Sequence, residues 1–319
     1  MRSADSTITA ARRVPLPAVL GVLVVVQLVS VFVLARSGDW TYSAGDVLVG
    51  AAIATAELVL LYGVGSVLGG PLVGVTAGLL WIVWPPLALR YWVIGGNPPR
   101  SYEQAYHEQF LPVAFGFEAP EAAVAGCLLL GSAWLALGPF ARTTAAGAAA
   151  GAAAGAAALV YPRVWPALAA PVLALAIARR PRASLLCAAT ALVGLGALAL
   201  FRHVPGIHPG WHTIGVNLDL FREFGWSRRL VEYLPLAGLV GLAIRRPAGA
   251  VFFGWLVVSL IVFPLGRPLD FLALLLALVP ALPVYVLLTA CIPLLYPRGE
   301  RGTAPARERS PQQSQPAAR

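Results

Sequence analysis

Long apolar runs alternate with short polar segments along the chain, from residue 15 to residue 296. A helix needs roughly 20 apolar residues to cross the ~30 Å hydrocarbon core of a bilayer. By this measure the pattern predicts an all-α, polytopic transmembrane protein with about ten spans. The predicted spans lie near residues 15–35, 47–68, 71–92, 120–140, 144–160, 164–178, 183–201, 231–245, 248–264 and 270–296.

The polar segments divide the chain into three parts. Residues 1–14 form an N-terminal segment, residues 15–296 form the transmembrane domain, and residues 297–319 form a tail rich in Arg, Pro, Ser and Gln. Such a composition cannot bury enough apolar surface to fold, so the tail is predicted to be disordered. Longer polar segments within the domain predict outer loops near 36–46, 93–119 and 202–230.

The basic residues, all of them arginine, predict the orientation of the chain in the membrane. With the N-terminus inside and ten spans, 14 of the 23 arginines fall on the inner side. This is the direction of the positive-inside rule. The sequence therefore predicts a multi-pass protein of the cell's inner membrane with both termini cytoplasmic.

Composition narrows the function classes. Hydrophobic residues make up 59% of the chain, charged residues 12%, and the mean hydropathy is +0.77. A soluble globular chain has roughly 25% charged residues, so this composition predicts the lipid bilayer as partner. In a membrane protein, the net charge of +9 does not indicate a nucleic-acid-binding surface. The sequence contains no phosphate-binding glycine loop, dinucleotide fingerprint or HExxH or CxxC motif. Three isolated cysteines predict neither a disulfide framework nor a metal site.

Acidic residues gather on the predicted outer side. Ten of the 14 Asp and Glu residues fall there: Asp39, Asp46, Glu103, Glu108, Glu118, Glu121, Asp219, Glu223, Glu232 and Asp270. Acids are tolerated on that side because translocation discriminates weakly against them, and a polar cavity that opens outward predicts the same distribution. Both interpretations remain open at this point.

Two features lie inside predicted spans. Glu57 sits between apolar neighbours in the second span, where a carboxyl group must be protonated, paired or turned to a wet cavity. A functional role and a structural hydrogen bond are equally compatible with that position. Gly147, Gly151 and Gly155 recur every fourth residue in the fifth span, a spacing that lets two helix backbones approach closely. They predict a packing seam.

Outer acids with arginines nearby suit the transfer of a group linked to a lipid phosphate. In such a transfer an acid serves as general base or as ligand of a divalent cation, and arginine binds the phosphate. A divalent cation is therefore the candidate cofactor. The candidate catalytic residues are Asp39 and Glu108, and the candidate substrate-binding residues are Tyr42, Trp211, Arg228 and Arg229. Surface ion pairing alone also accounts for each of them. His203, His208 and His212 are better explained by interfacial hydrogen bonds than by a metal site.

Several stretches carry a resemblance to a known family. The runs AELVLLYGVGSVLGGPLVGVTAGLLWIVWPPLALRYW and GAAAGAAAGAAALVYPRVWPALAAPVLALAIARRPR resemble polytopic glycosyltransferases of the GT-C type, which use polyprenyl-phosphate sugars. YEQAYHEQFLP, NLDLFREFGWSRRLVEYLPLAGLVGLAIRR and LVPALPVYVLLTACIPLLYPR resemble glycosyltransferase-like integral membrane proteins of actinobacteria. The likeness covers about residues 45–298.

This resemblance implies a GT-C-like fold, a polyprenyl-phosphate-linked sugar as donor, an outer active site and an essential acid in the first outer loop. Asp39 matches that acid by its position after the first span. The chain departs from the family pattern, because Asp39 is followed by Trp40 instead of a second acid, and the first outer loop is short. It also lacks a sizeable soluble domain at the carboxyl end.

A different class of protein is the alternative. A transporter, a flippase or an envelope-assembly scaffold, including a GT-C member that has lost catalysis, is also compatible with the sequence. An internal repeat and broken helices with polar residues at mid-depth are typical of transporters. No convincing repeat is visible, while prolines in the last two predicted spans favour kinked helices.

Overall fold

The computed structural model of the chain describes residues 16–36, 42–94, 120–204, 230–252, 254–255 and 279–296. The α-helices in this part of the chain are α1 (Leu16–Arg36), α2 (Ala44–Gly69), α3 (Pro71–Ile94), α4 (Pro120–Leu137), α5 (Thr144–Val160), α6 (Ala169–Ile177), α7 (Pro181–Phe201), α8 (Leu230–Arg245) and α9 (Leu282–Ala290). Short 3₁₀ helices cover Pro139–Arg142, Pro162–Leu168, Pro247–Ala250, Val279–Ala281 and Ile292–Leu295.

The all-α prediction is confirmed for the described residues, which contain no strand. Three helices, α2, α4 and α7, are long and apolar enough to cross a membrane by length and composition. The outward side of α7 is apolar, with Leu200 and Phe201 each 82% exposed. An apolar surface of this kind indicates a lipid environment. The number of ten spans remains a prediction, and residues 256–278 of the last two lie outside the described residues.

Proline breaks the sixth and tenth predicted spans into shorter pieces. Residues 162–168 are 3₁₀ helix, with Pro162 at the first position and Pro166 inside, and α6 follows with only nine residues. Proline lacks a backbone donor and clashes with the preceding turn, so it disfavours a continuous α-helix. In the tenth span, α9 is likewise nine residues long and lies between two 3₁₀ helices.

A tight turn folds α2 back on α3. Gly70 is the only residue between the two helices, and its φ of +90° is a conformation that side chains rarely adopt. Pro71 then opens α3, where its fixed φ and missing donor suit the first helical position. At the other end of α2, Ser43 and Asp46 form a capping box, with Ser43 Oγ donating to Asp46 Oδ2 at 2.7 Å. These caps fix both ends of α2.

The glycine seam predicted from the sequence joins α5 to α7. A Cβ added at Gly147 would collide with the Ala183 backbone, and one added at Gly151 would collide with the Cys187 carbonyl oxygen. At Gly155 the added atom would lie 3.0 Å from the Cα of Gly194. The two backbones therefore pack in direct contact. Hydroxyl groups support this contact, since Thr190 Oγ1 donates to the Ala148 carbonyl oxygen at 2.9 Å.

Close contacts also fix the relative directions of the helices. Glu57 Oε1 on α2 lies 3.3 Å from a Cβ built at Gly126 on α4. Further along both helices, Gly63 on α2 contacts Trp134 on α4. The contacts advance together, so α2 and α4 run parallel. The pairs α5 with α7 and α8 with α9 are parallel for the same reason, the latter through Gly238 against Leu288 and Gly241 against Leu294.

Parallel pairing divides the turns into two groups at opposite ends of the bundle. The Gly70 end comprises Gly70, the segments 138–143 and 178–180, and the segments 246–250 and 291–296. Contacts of Gly69 with Leu294 and of Gly249 with Leu68 bring these last two segments to the Gly70 turn. The Tyr161 end comprises the opposite helix ends, at Arg36, Tyr42, Ile94, Pro120, Tyr161, Phe201 and Leu230.

Charge differs between the two ends. Six of the ten arginines in the described part of the chain lie at the Gly70 end: Arg142, Arg179, Arg180, Arg182, Arg245 and Arg246. None of the four described acids lies there, because Asp46, Glu121 and Glu232 belong to the Tyr161 half and Glu57 to the helix interior. Among the described residues, basic side chains are therefore concentrated at the Gly70 end, and acidic side chains lie elsewhere.

Candidate functional site

One of the six residues predicted to form the site is described. Tyr42 lies just before α2 and packs half-buried against the hydrophobic core. The other five, Asp39, Glu108, Trp211, Arg228 and Arg229, lie outside the described residues. The predicted catalytic pair and the phosphate-binding arginines therefore remain predictions, as does the divalent cation. Within the described residues, no three His, Cys, Asp or Glu side chains group as metal ligands.

Polar side chains gather at the Tyr161 end, where α4 begins and α5 ends. Tyr161 is 8% exposed, and burial raises its pKa to about 12. The cation of Arg163 acts in the opposite direction, and the negative charge of Glu121 adds to the rise in pKa. Arg163 and Glu121 both lie close enough to Tyr161 to act on its phenol, which stays protonated at neutral pH. A hydrogen-bond donor beside a guanidinium is an arrangement that suits an anionic group such as a phosphate.

No specific sequence signal indicates this cluster. Arg163 follows the fifth predicted span in the stretch YPRVWP, a position that by itself indicates no more than an arginine at the end of an apolar run. Glu121 lies some forty residues earlier, at the start of α4. Only the packing of α4 against α5 brings Glu121 close enough to act on Tyr161. The motif that could have suggested it is the Tyr-Pro-Arg sequence at the end of an apolar run.

Glu57 is the second candidate, and it lies deep in the bundle. It is the fourteenth of the 26 residues of α2, and a rise of 1.5 Å per residue places it ~18 Å from the Gly70 turn. Its exposure is 0%, and neither carboxyl oxygen has a hydrogen-bond partner among the described residues. The structural hydrogen bond left open by the sequence is therefore absent from this part of the chain. A buried polar group without a partner costs about 1–3 kcal/mol, which favours a functional explanation.

The described groups that face Glu57 from α4 and from residues 279–295 are apolar and uncharged. Oε1 faces the surface of α4 at Gly126, and the Cα of Pro280 borders the same glycine at 3.9 Å from a built Cβ. Neither α2, α4 nor the segment 279–295 contains a basic residue. Cys127, next to Gly126, turns its Sγ toward the Ile53 carbonyl oxygen at 3.9 Å. No cation from these elements can balance a carboxylate at this position.

Gln27 and Trp81 form a third group of buried polar atoms. Gln27 Oε1 and Trp81 Nε1 are buried without a hydrogen-bond partner among the described residues. Helices α1 and α3 meet where Leu23 Cδ1 lies 3.1 Å from a Cβ built at Gly78, and both polar residues lie about one turn beyond this contact. This pair belongs to the α1–α3 contact, whereas Glu57 faces α4.

A small cavity lies among α4, α6 and residues 248–255. Its lining is apolar apart from Trp255, whose Nε1 is buried without a partner in the described structure. The cavity volume is about 10 Å³. A water molecule needs roughly 10–15 Å³, so this space holds at most one water and no larger ligand.

Comparison with known proteins identified no relative. No known protein family, no curated protein and no solved structure matches the chain.

Proposed function

We propose that the chain is a multi-pass protein of the inner membrane with its Gly70 end and both termini in the cytoplasm. The arginine-rich Gly70 end supports this orientation, because short cytoplasmic loops carry an excess of basic residues. Helix α1 begins at this end and the segment after α9 finishes there. The Tyr161 end then faces the outer side.

On this orientation, the function we propose is glycosyl transfer at the outer side. A sugar moves from a polyprenyl-phosphate carrier to a lipid, glycan or protein acceptor. Asp39 acts as base or metal ligand, Glu108 assists, and Arg228 or Arg229 holds the phosphate, with Tyr42 and Trp211 in contact with the substrate. The proposal rests on the sequence resemblance to GT-C type enzymes and on the acids of the outer segments.

One structural observation supports the outer side as the reactive one. Tyr42, Glu121 and Arg163 lie at the same end of the bundle, and the buried hydroxyl of Tyr161 is beside Arg163. Phosphate recognition needs fixed donors and cations, and this end supplies both from the helix ends themselves. Arg163 is therefore a further candidate for the phosphate of donor or leaving group.

Sugar transfer by the purified protein tests the proposal. Wild-type protein is reconstituted with radiolabelled polyprenyl-phosphate hexose or pentose and a membrane extract as acceptor. We expect transfer by the wild type, none by Asp39→Asn, and wild-type transfer by Asp46→Asn. Asp46 is the matched control, because it lies in the same outer segment but caps α2 through Ser43. Full transfer by Asp39→Asn contradicts the assignment of Asp39, and no transfer by wild type with either donor contradicts the function.

A transporter or flippase is the second candidate function, and Glu57 is the observation that favours it. Ionisable groups inside a membrane mark ion or substrate pathways, since they are costly to retain otherwise. Proteoliposomes loaded with a fluorescent polyprenyl phosphate distinguish the two candidates. Movement of the lipid across the bilayer without sugar transfer supports the second candidate, and transfer without movement excludes it.

A further inference from the structure

We propose that Glu57 is a proton-binding site inside the bundle, occupied by a proton in the packing seen here and able to exchange it with water. The site consists of the Glu57 carboxyl, the surface of α4 at Gly126 and Cys127, and the turn at Pro280. The ligand is the proton itself, which adds to the carboxylate and leaves a neutral carboxylic acid. This site does not depend on the proposed glycosyl transfer.

The evidence for a bound proton is the burial of the Glu57 carboxyl group and its lack of a partner among the described residues. Glu57 is fully buried, and both of its oxygens lack a donor or a cation among the described residues. Burying an ionised carboxylate in this way costs far more than burying the neutral acid. Of the elements around the carboxyl, α4 brings the thiol of Cys127, and the turn brings only Val279, Pro280 and Ala281. None of these groups supplies positive charge.

A metal ion fits the same place poorly. Calcium takes six to eight oxygen ligands, and magnesium takes six in near-ideal octahedral geometry. The neighbours of the carboxyl are a glycine, a cysteine and a proline, and no group of metal-ligating side chains forms within the described residues. A proton requires one oxygen only, which Glu57 provides.

The close packing of α4 makes release of the proton conditional. Oε1 lies 3.3 Å from the position of a Cβ at Gly126, so the glycine leaves just enough room for the carboxyl. An ionised carboxylate needs water or a cation, and the Glu57 carboxyl is closed off from solvent in this packing of α2 and α4. Exchange of the proton therefore requires these two helices to separate locally. That ties the protonation of Glu57 to the α2–α4 contact.

Infrared spectroscopy of the full-length protein in an ester-free detergent tests the site without any substrate or lipid carbonyl group. A protonated carboxyl group shows a C=O stretching band that a carboxylate lacks. At neutral pH we expect this band in the wild type, its loss in Glu57→Gln, and its full retention in Glu121→Gln. Glu121 is the matched control, because it is an exposed acid on α4. In D2O the wild-type band shifts as the proton is replaced by deuterium.

Two results overturn the proposal. Absence of the band from the wild type shows that Glu57 is ionised and has a cationic partner. A band that is present but fails to shift in D2O shows a proton locked in the structure, which makes Glu57 a structural group. Both results come from the wild-type protein, so they hold even where Glu57→Gln fails to fold. Neither result bears on sugar transfer, so failure of this proposal is distinguishable from failure of the proposed function.

Discussion

Arg179 takes the left-handed backbone conformation two residues after the end of α6, with φ of 57°. The chain reverses there into α7, and the Arg180 amide donates to the Leu175 carbonyl oxygen at 3.0 Å. Helices commonly end in this way, with glycine as the usual residue at the left-handed position. An arginine at the position carries a steric cost that glycine avoids.

Replacing Arg179 by glycine is therefore expected to stabilise the protein by about 1 kcal/mol. Arg180→Gly is the matched control, since it removes the same charge from the same end but from a residue with φ of −118°. Stability is measured in a Cys127→Ser background by heating the protein with a fluorogenic maleimide, because Cys127 is half-buried whereas Cys187 and Cys291 are fully buried until the protein unfolds. Equal or lower stability of Arg179→Gly relative to Arg180→Gly contradicts the expectation.

Helix α5 shows that a helix can pack closely against another through alanine and glycine alone. Its packing surface consists of Ala and Gly, and its backbone touches α7 without intervening side chains. Van der Waals contacts and hydrogen bonds hold such helices together in lipid, because moving an apolar side chain from lipid to a helix interface provides no hydrophobic stabilisation. Ser132 adds one such bond from α4, donating to the Ala150 carbonyl oxygen at 2.7 Å.

A single methyl group at the seam is expected to separate the two helices. Gly151→Ala places a Cβ against the Cys187 carbonyl oxygen, and overpacking of this kind costs about 1–3 kcal/mol. Gly196→Ala is the control, because nothing lies within 4 Å of a Cβ at that exposed position of α7. The same thermal unfolding measurement should show a lower midpoint for Gly151→Ala only. A midpoint equal to that of Gly196→Ala disproves direct backbone contact at the seam.

The boundaries of the helices were predicted from the sequence more accurately than the contacts between helices. The starts and ends of α2, α5 and α8 fall within three residues of the predicted spans, because apolar length and the bordering arginines and prolines are local features. The seam was predicted too, since its three glycines occur in one helix. The partner, α7, was not, because Gly194 and Ala183 carry no comparable spacing.

Of the candidate site, the sequence could indicate individual residues and not their surroundings. It singled out Glu57, because an acid in an apolar run is visible locally. It left the choice between function and a hydrogen bond open, since that depends on which part of α4 faces the carboxyl. Tyr161 and Arg163 were missed for the same reason, because the electrostatic effect of Glu121 on Tyr161 depends on helix packing.

For the whole molecule, the two ends of the bundle lead to a prediction about sidedness. A cysteine replacing the exposed Arg142 lies at the Gly70 end, and one replacing the exposed Arg202 lies at the Tyr161 end. With a membrane-impermeant maleimide, we expect Arg202→Cys to react in intact spheroplasts and Arg142→Cys to react only in inverted vesicles. Each variant removes one arginine, so the two are matched in charge.

The native cysteines supply the background for this measurement. Half-buried Cys127 is replaced by serine in both variants, while Cys187 and Cys291 have 0% exposure and are expected to stay unlabelled in both preparations. Reaction of both introduced cysteines from the same side contradicts the separation of the two ends. Reaction with the sides exchanged keeps the bundle but reverses the proposed orientation, which removes the outer location of the proposed chemistry.

The composition of α5 has a consequence for the way in which the protein is made. Leu159 and Val160 are its only large aliphatic residues, the type that partitions most favourably into lipid during synthesis at the translocon. We expect this segment to fail as an isolated insertion unit and to enter the bilayer as a hairpin with the preceding α4. An insertion assay that compares α5 alone with the α4–α5 pair decides this, and efficient insertion of α5 alone contradicts it. If α5 inserts only together with α4, the biogenesis of the protein depends on the order in which its helices emerge from the ribosome.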